Sequence, residues 1–309
     1  MPPNRQRLAD LALASNTLIW GATFVIVKSA LTGISPLLFL ALRFSLATAA
    51  LALLFARPLV QRPPAVRDLR AGVLVGSLLL AGFAFQTIGL QFTTAPKSAF
   101  LTGATSVMVP FLARLVYRSR PRRSEVLGLL AATAGMGLMT LEAPLGFTKL
   151  GLVNRGDLLT LCCAAAFAGH IVTLGHFSKK LRFEMLSVIQ VATAALWAGS
   201  LFWWVESPRF VWRPAVVWAI VVTGLLATAL AFTVQAWAQH HTTSTRTALI
   251  YLLEPVFAWL TSYLLVGEGL SLRAAAGAAL ILGGVLMVEL KPLQPRLYPS
   301  NEGVAGGEI

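Results

Sequence analysis

Ten apolar runs, each close to the length that crosses a bilayer, constrain this chain more than any other feature. They lie near 10–30, 36–56, 71–91, 98–117, 124–141, 156–177, 185–205, 214–237, 247–266 and 272–290. A hydrocarbon core of ~30 Å takes ~20 helical residues, and short charged or proline-containing links separate the runs. The pattern predicts an all-α integral membrane protein with ten transmembrane helices. Only 12% of the residues are charged, against roughly 25% in soluble domains, so too little polar side chain remains to coat a globule of this size.

A net charge of +13 would suggest nucleic acid in a soluble chain, but its placement points to topology. With residue 1 in the cytoplasm, 16 of the 25 Lys and Arg fall on the inner side, 7 on the outer side and 2, Arg43 and Arg114, within spans. The inner set includes Arg5, Arg7, Arg57, Arg62, Arg67, Arg70, Lys179, Lys180, Arg182 and Arg246. This is the positive-inside bias. It predicts a multi-pass protein of the cell (inner) membrane with both termini cytoplasmic, the lipid bilayer as partner and no nucleic acid. Arg5 and Arg7 lead straight into a full-length run without a small-residue cleavage site, which reads as a retained first helix. Residues 291–309 are expected to form a disordered cytoplasmic tail. Cys162 and Cys163 are adjacent inside an apolar run and read as packing.

Comparison of the chain with itself exposes a repeat. Ala47-Thr48-Ala49-Ala50-Leu51 recurs as Ala192-Thr193-Ala194-Ala195-Leu196, Thr93-Thr94 as Thr242-Thr243, and Gly135-x-Gly137-Leu138-Met139 resembles Gly283-Gly284-Val285-Leu286-Met287. Val109-Pro110-Phe111-Leu112-Ala113 likewise resembles Pro255-Val256-Phe257-Ala258. A shared order and a nearly constant offset point to duplication, with repeats over 10–141 and 156–290. Five spans per half force the second repeat to enter the membrane upside down, the inverted plan of secondary transporters with a substrate site near the midplane.

The residues also carry a family resemblance. Asn16-Thr17-Leu18-Ile19-Trp20-Gly21-Ala22-Thr23-Phe24, then Lys28, Pro36 and Leu42-Arg43-Phe44, open the first half. The second half holds Gly156-Asp157-Leu158-Leu159 and Ala227-Thr228-Ala229-Leu230-Ala231-Phe232 with Gln235 and Gln239. Thr247-Ala248-Leu249-Ile250, Glu254-Pro255-Val256-Phe257-Ala258 and Gly267-Glu268 complete the series. In this order the chain resembles EamA-type members of the drug/metabolite transporter superfamily over about residues 10 to 290. The resemblance implies a ten-helix permease that moves small organic metabolites, often outward, without ATP. Two departures mark the first half: Arg118-Ser119-Arg120-Pro121 replaces the Gly-Glu pair, and four more residues separate Lys97 from Pro110 than Arg246 from Pro255.

Polar side chains in hydrocarbon must face protein or water, so polar stripes mark a candidate pathway. The ninth span carries Thr247, Tyr251, Glu254 and Thr261, and the fourth carries Ser98, Thr102 and Thr105. Each stripe runs to a proline, Pro255 or Pro110, that frees a backbone acceptor and can kink the helix. Asn16, Trp20 and Thr23 align on the first span as an amphipathic wall. Gln86 and Gln235 add polar groups, and His170 lies deep in the sixth span as either a satisfied core histidine or a proton relay. Glu254 is either a proton or cation coupling group or a structural acid. Arg43 can attract an anion or brace its neighbours. The expected small-molecule site is therefore Asn16, Trp20, Thr23, Gln86, Ser98, Thr102, Thr105, His170, Gln235, Tyr251 and Glu254.

Small-residue faces, with Gly128, Ala131, Gly135 and Gly137 in the fifth span and Ala275 to Ala279 with Gly283-Gly284 in the tenth, suit close helix contact between the halves or in a homodimer. No HExxH, GxSxG, Walker A loop or paired intramembrane aspartates occur, so neither an enzyme nor a nucleotide-driven pump is expected, and no cofactor or metal. The remaining rival is a sensor or receptor on the same helices. The expected activity is export of small metabolites, amino acids or their derivatives ahead of hydrophobic drugs, by alternating access.

Overall fold

Helices begin where local chemistry allows and end where apolar runs meet charged turns. The computed structural model describes residues 3–93, 95–118, 122–140, 154–257, 259–260 and 271–289. In chain order the helices are α1 (Pro3–Ala30), α2 (Pro36–Leu54), α3 (Ala56–Gln61), α4 (Val66–Gly89), α5 (Ala95–Tyr117) and α6 (Arg123–Thr140). Then follow α7 (Arg155–Phe177), α8 (Phe183–Val205), α9 (Pro214–Gly224), α10 (Ala231–His241), α11 (Ser244–Tyr251) and α12 (Leu272–Glu289). A π-helical turn, Leu225–Leu230, joins α9 to α10. Pro36 and Pro214 sit in the first turns of α2 and α9, where the missing N–H costs no intrahelical bond. Asn154 and Asp157 form a reciprocal capping box at the start of α7, satisfying two donors that the helix cannot.

Among the described residues seven helices are long and apolar enough to cross a membrane: α1, α2, α4, α5, α7, α8 and the composite Pro214–His241. The other three expected runs differ for local reasons. The fifth becomes the 18-residue α6 and opens on Arg123, Ser124 and Glu125; the ninth breaks after Tyr251; the tenth is a shorter apolar helix, Leu272–Val288. The tail 291–309, Thr261 and Gly267-Glu268 lie outside the described residues. The two prolines act differently. Pro110 lies within a continuous α5, whereas just before Pro255 the chain tightens, with Leu252 and Leu253 donating to Leu249 and Ile250, three residues back.

The distribution of side chains is that of a membrane protein. Leu53, Phe111, Leu115, Leu196 and Leu272 are exposed on the outside while Asn16, Gln190, Gln235 and Gln239 are buried, the reverse of a water-soluble domain. Side-chain and backbone contacts define two ends. At one, Arg246 meets Asp10, and Tyr117 donates to the Val172 carbonyl. At the other, the turn after α1 pairs with the α8–α9 loop through the Ile34–Phe210 bridge and Thr93 donates to Asp157. Trp203, Trp204, Trp212 and Trp218 are exposed around this second end, as interfacial aromatic belts are.

Helix pairing repeats between the halves. α4 packs on α7 as α10 packs on α1, α5 on α7 as α11 on α1, and α4 on α8 as α9 and the π turn pack on α2. Three pairs join equivalent helices: α2 with α8, α5 with α11, and α6 with α12. The last is a small-residue seam. A Cβ on Gly128 would lie 2.6 Å from the Gly284 carbonyl oxygen, and one on Gly135 2.5 Å from that of Gly277. These glycines therefore join the two halves of one chain. Gly137 instead faces Phe100 of α5, and Gly283 meets nothing.

Glu206 closes α2 from the far half of the chain. Its carboxylate accepts the Leu37 N–H at 3.0 Å and the Leu38 N–H at 2.8 Å, donors that a helix start leaves unpaired. Glu206→Ala is expected to cost about 1–2 kcal/mol, read as a lowered melting temperature in detergent.

Candidate functional site

The site begins at the π turn. Widening the helix to bonds five residues apart releases carbonyls that an α-helix would engage, and Thr228 back-bonds across that interval to the Thr223 carbonyl at 2.8 Å. The first half docks on these groups. The Trp20 indole N–H donates to the Ala227 carbonyl at 2.9 Å, and Asn16 Nδ2 donates to that of Ala231 at 2.8 Å. Arg43 donates from Nε to Thr228 Oγ1 at 2.6 Å and from Nη2 to the Ala227 carbonyl at 3.3 Å. Its guanidinium also lies over the Phe83 ring, 4.6 Å from the centroid. Arg43 thus braces α2 against the composite span, with the aromatic face adding cation–π attraction in a desolvated setting.

Around this anchor the rings of six helices meet. Trp20 lies 5.5 Å from Phe232 and 4.9 Å, edge-on, from Tyr251. Phe83 contacts Phe44, Phe167 and Phe232 at 5.2–5.9 Å, all near-perpendicular. Such edge-to-face pairs contribute beyond their buried area and hold the wall rigid. Trp20, Phe83, Gln86, Thr102, Tyr251 and Glu254 remain partly exposed. Gln86 donates to Thr102 at 3.3 Å, and Thr102 approaches the Cys163 sulfur at 4.0 Å. Glu254 follows the break in the ninth run, within electrostatic reach of Tyr251 and Cys163. Among the described residues no cation pairs with it.

The remaining expected residues sit in seams. Thr23 back-bonds to the Ile19 and Trp20 carbonyls. Ser98 meets Thr160 at 3.4 Å, and Thr105 donates to the Ala164 carbonyl at 3.2 Å; both tie α5 to α7. His170 hydrogen-bonds Gln190 at 3.0 Å and stands perpendicular to Phe232. Gln235 is buried with neither amide atom hydrogen-bonded. The structure thus brings Trp20, Tyr251, Glu254, Gln86 and Thr102 towards one partly open region, with Asn16 behind it.

Sequence reasoning missed Phe83 and Phe167, which look like ordinary apolar residues until helices pair, and the π turn, which no proline announces. It also treated Arg246 as one more inner-side charge. In the structure Arg246 is buried and bonded to Asp10 at 3.0 Å.

A protein-family comparison bears directly on this arrangement. The pattern of the EamA-like transporter family matches residues 7–141 and again residues 154–290. The chain belongs to the EamA-like transporter family. It is therefore a membrane transporter of the drug/metabolite transporter superfamily. An uncharacterized transporter of Archaeoglobus fulgidus is 34% identical, covering 92% of this chain and 86% of that protein. A probable terminal-alkyne amino-acid exporter of Streptantibioticus cattleyicolor is 25% identical, over 94% and 97%. A probable amino-acid metabolite efflux pump of Salmonella typhimurium is 25% identical, over 87% and 90%. A solved crystal structure shares the fold of this chain with a TM-score of 0.74 at 20% identity, covering 91% of this chain and 97% of that one.

Proposed function

We propose that this EamA-type protein exports small amino acids or their derivatives, preferably with apolar or aromatic side chains, by alternating access across the cytoplasmic membrane. In this reading the chain crosses the bilayer ten times as two inverted five-helix repeats, N- and C-termini inside. The repeated helix pairing and the inner-side excess of Lys and Arg support that topology. The observation that carries the substrate reading is the aromatic wall, partly exposed Trp20, Tyr251 and Phe83 backed by buried Phe232, set beside Glu254, with which no cation pairs among the described residues. Aromatic faces accept an apolar side chain, and a carboxylate next to them favours an ammonium group. Gln86 and Thr102 supply neutral polar contacts. Asn16, Thr23, Ser98, Thr105, His170 and Gln235 shape the wall from the seams behind it. The names of two relatives, an amino-acid exporter and an amino-acid metabolite efflux pump, support the substrate class and the outward direction.

Counterflow in proteoliposomes tests the proposal, with labelled amino acids, nucleosides, sugars and organic cations, each with and without a pH gradient. Uptake of amino acids with apolar side chains is expected. No uptake of any class would sink it. Glu254→Gln keeps the shape and removes the charge; it is expected to lower amino-acid counterflow about tenfold or more, the worth of a charge-assisted hydrogen bond. Unchanged counterflow would remove Glu254 from the site.

A further inference from the structure

We propose that the buried ion pair Asp10–Arg246 is the latch that holds the cytoplasmic end of the pathway shut, and that it must open in each transport cycle. The proposal rests on the transporter reading for its cycle, not for its geometry. Arg246 Nη2 donates to Asp10 Oδ2 at 3.0 Å, with the side chains 2% and 5% exposed. Nη1 donates to the Val288 carbonyl at 3.2 Å. One guanidinium therefore ties α1 of the first half to α11 and α12 of the second. Immediately inside it, Leu13, Leu249, Ile250, Leu253, Ile281 and Val285 form an apolar plug.

An ion pair is a poor choice for a static seam. Desolvation offsets most of its Coulomb attraction, and apolar side chains of similar volume seal as well or better. It suits a contact that must break: opening to water returns hydration to both charges, whereas parting apolar surfaces recovers nothing comparable. The inverted repeat supplies a matching acid at the opposite end. Thr93 donates to Asp157 Oδ1 at 2.8 Å, joining the end of α4 to α7 across the two halves. Thr242 is the repeat partner of Thr93, and Asp10 precedes Asp157 by 147 residues. Yet Thr242 Oγ1 and Asp10 Oδ1 are both buried without a hydrogen-bond partner. The threonine–aspartate contact made at one end is thus not made by the equivalent pair at the other, where Asp10 bonds Arg246 instead. At the position equivalent to Arg246 by the Thr93–Thr242 offset, the sequence carries a second basic residue, Lys97; its side chain lies outside the described residues.

The test is a cross-link with an accessibility readout. Asp10→Cys with Arg246→Cys, bridged by a short bis-methanethiosulfonate reagent in proteoliposomes, is expected to stop counterflow of labelled leucine, with recovery on reduction. Wild type given the same reagent, with Cys162 and Cys163 present, is the control. Full counterflow through the bridged protein overturns the latch. A second measurement needs no substrate. In the neutral double variant Asp10→Asn/Arg246→Gln, a reporter Leu13→Cys is expected to react about tenfold faster with an impermeant maleimide applied to the cytoplasmic face than in the charged parent. Equal rates in folded protein, judged by size exclusion, also overturn it. If wild type transports no amino acid, the substrate reading fails while the labelling comparison still decides the latch.

Discussion

Gly135→Leu is expected to cost about 3 kcal/mol or more of stability, enough to leave most of the protein misassembled. At that position the α6–α12 seam brings backbone, or atoms fixed to it, into the space a side chain would take. An added Cβ would meet the Gly277 carbonyl oxygen at 2.5 Å, the Leu280 Cβ at 2.8 Å and the Ile281 nitrogen at 2.9 Å. No rotamer relieves those contacts, so the helices must separate. Close approach of small residues is what drives helix association in lipid, where no hydrophobic force acts between helices. The seam also joins the two halves, so the loss spreads beyond the local clash. Two controls separate this from helix propensity. At Gly283 an added Cβ meets nothing, and at Gly137 only Phe100 Cε2 at 3.4 Å, so alanine at either is expected to leave the melting temperature in detergent within a few degrees of wild type. A Gly135→Leu protein that melts with wild type would refute the seam as a load path between the halves.

The same glycines show what the chain's pattern made legible. Spacing of small residues marked α6 and α12 as contact helices, because close approach needs small side chains wherever it occurs. It did not separate Gly135 from Gly137, since which side a residue faces depends on the partner. Most of the apolar runs were readable because the bilayer imposes a length rule on each span separately. Contacts across the chain were not. Asp10 and Arg246 are 236 residues apart, and neither carries a local sign that it is paired. The rings of Phe83, Phe167 and Phe232 belong to three helices whose adjacency is a property of the whole bundle. The π turn is the hardest case. Leu225–Leu230 contains neither proline nor glycine, and the widened turn is visible only through the donors that use it, Trp20, Arg43 and Thr228. The polar stripes were sound as a guide to buried faces, yet a stripe does not say whether its hydroxyls point into an open region or into a seam, as Thr102 and Thr105 do respectively.

Trp20→Ala is expected to lower amino-acid counterflow about a hundredfold, the loss typical of truncating a central aromatic anchor. Trp20 has two functions that the substitution removes together: its ring faces the open region against Phe232 and Tyr251, and its N–H holds the Ala227 carbonyl of the π turn. Trp20→Phe separates them. It keeps an aromatic face and loses only the hydrogen bond, worth about 1 kcal/mol net, so a loss of about fivefold is expected with the apparent substrate affinity largely retained. Arg43 still donates to the Ala227 carbonyl in that variant, which leaves the carbonyl satisfied and the π turn in place. If Trp20 were a brace alone, both variants would melt earlier yet transport normally per folded molecule. A wall residue instead shows in the alanine variant as weakened competition by unlabelled substrate, at a melting temperature close to that of the phenylalanine variant. The ratio between the two therefore separates the contribution of the aromatic face from that of the hydrogen bond to the π turn.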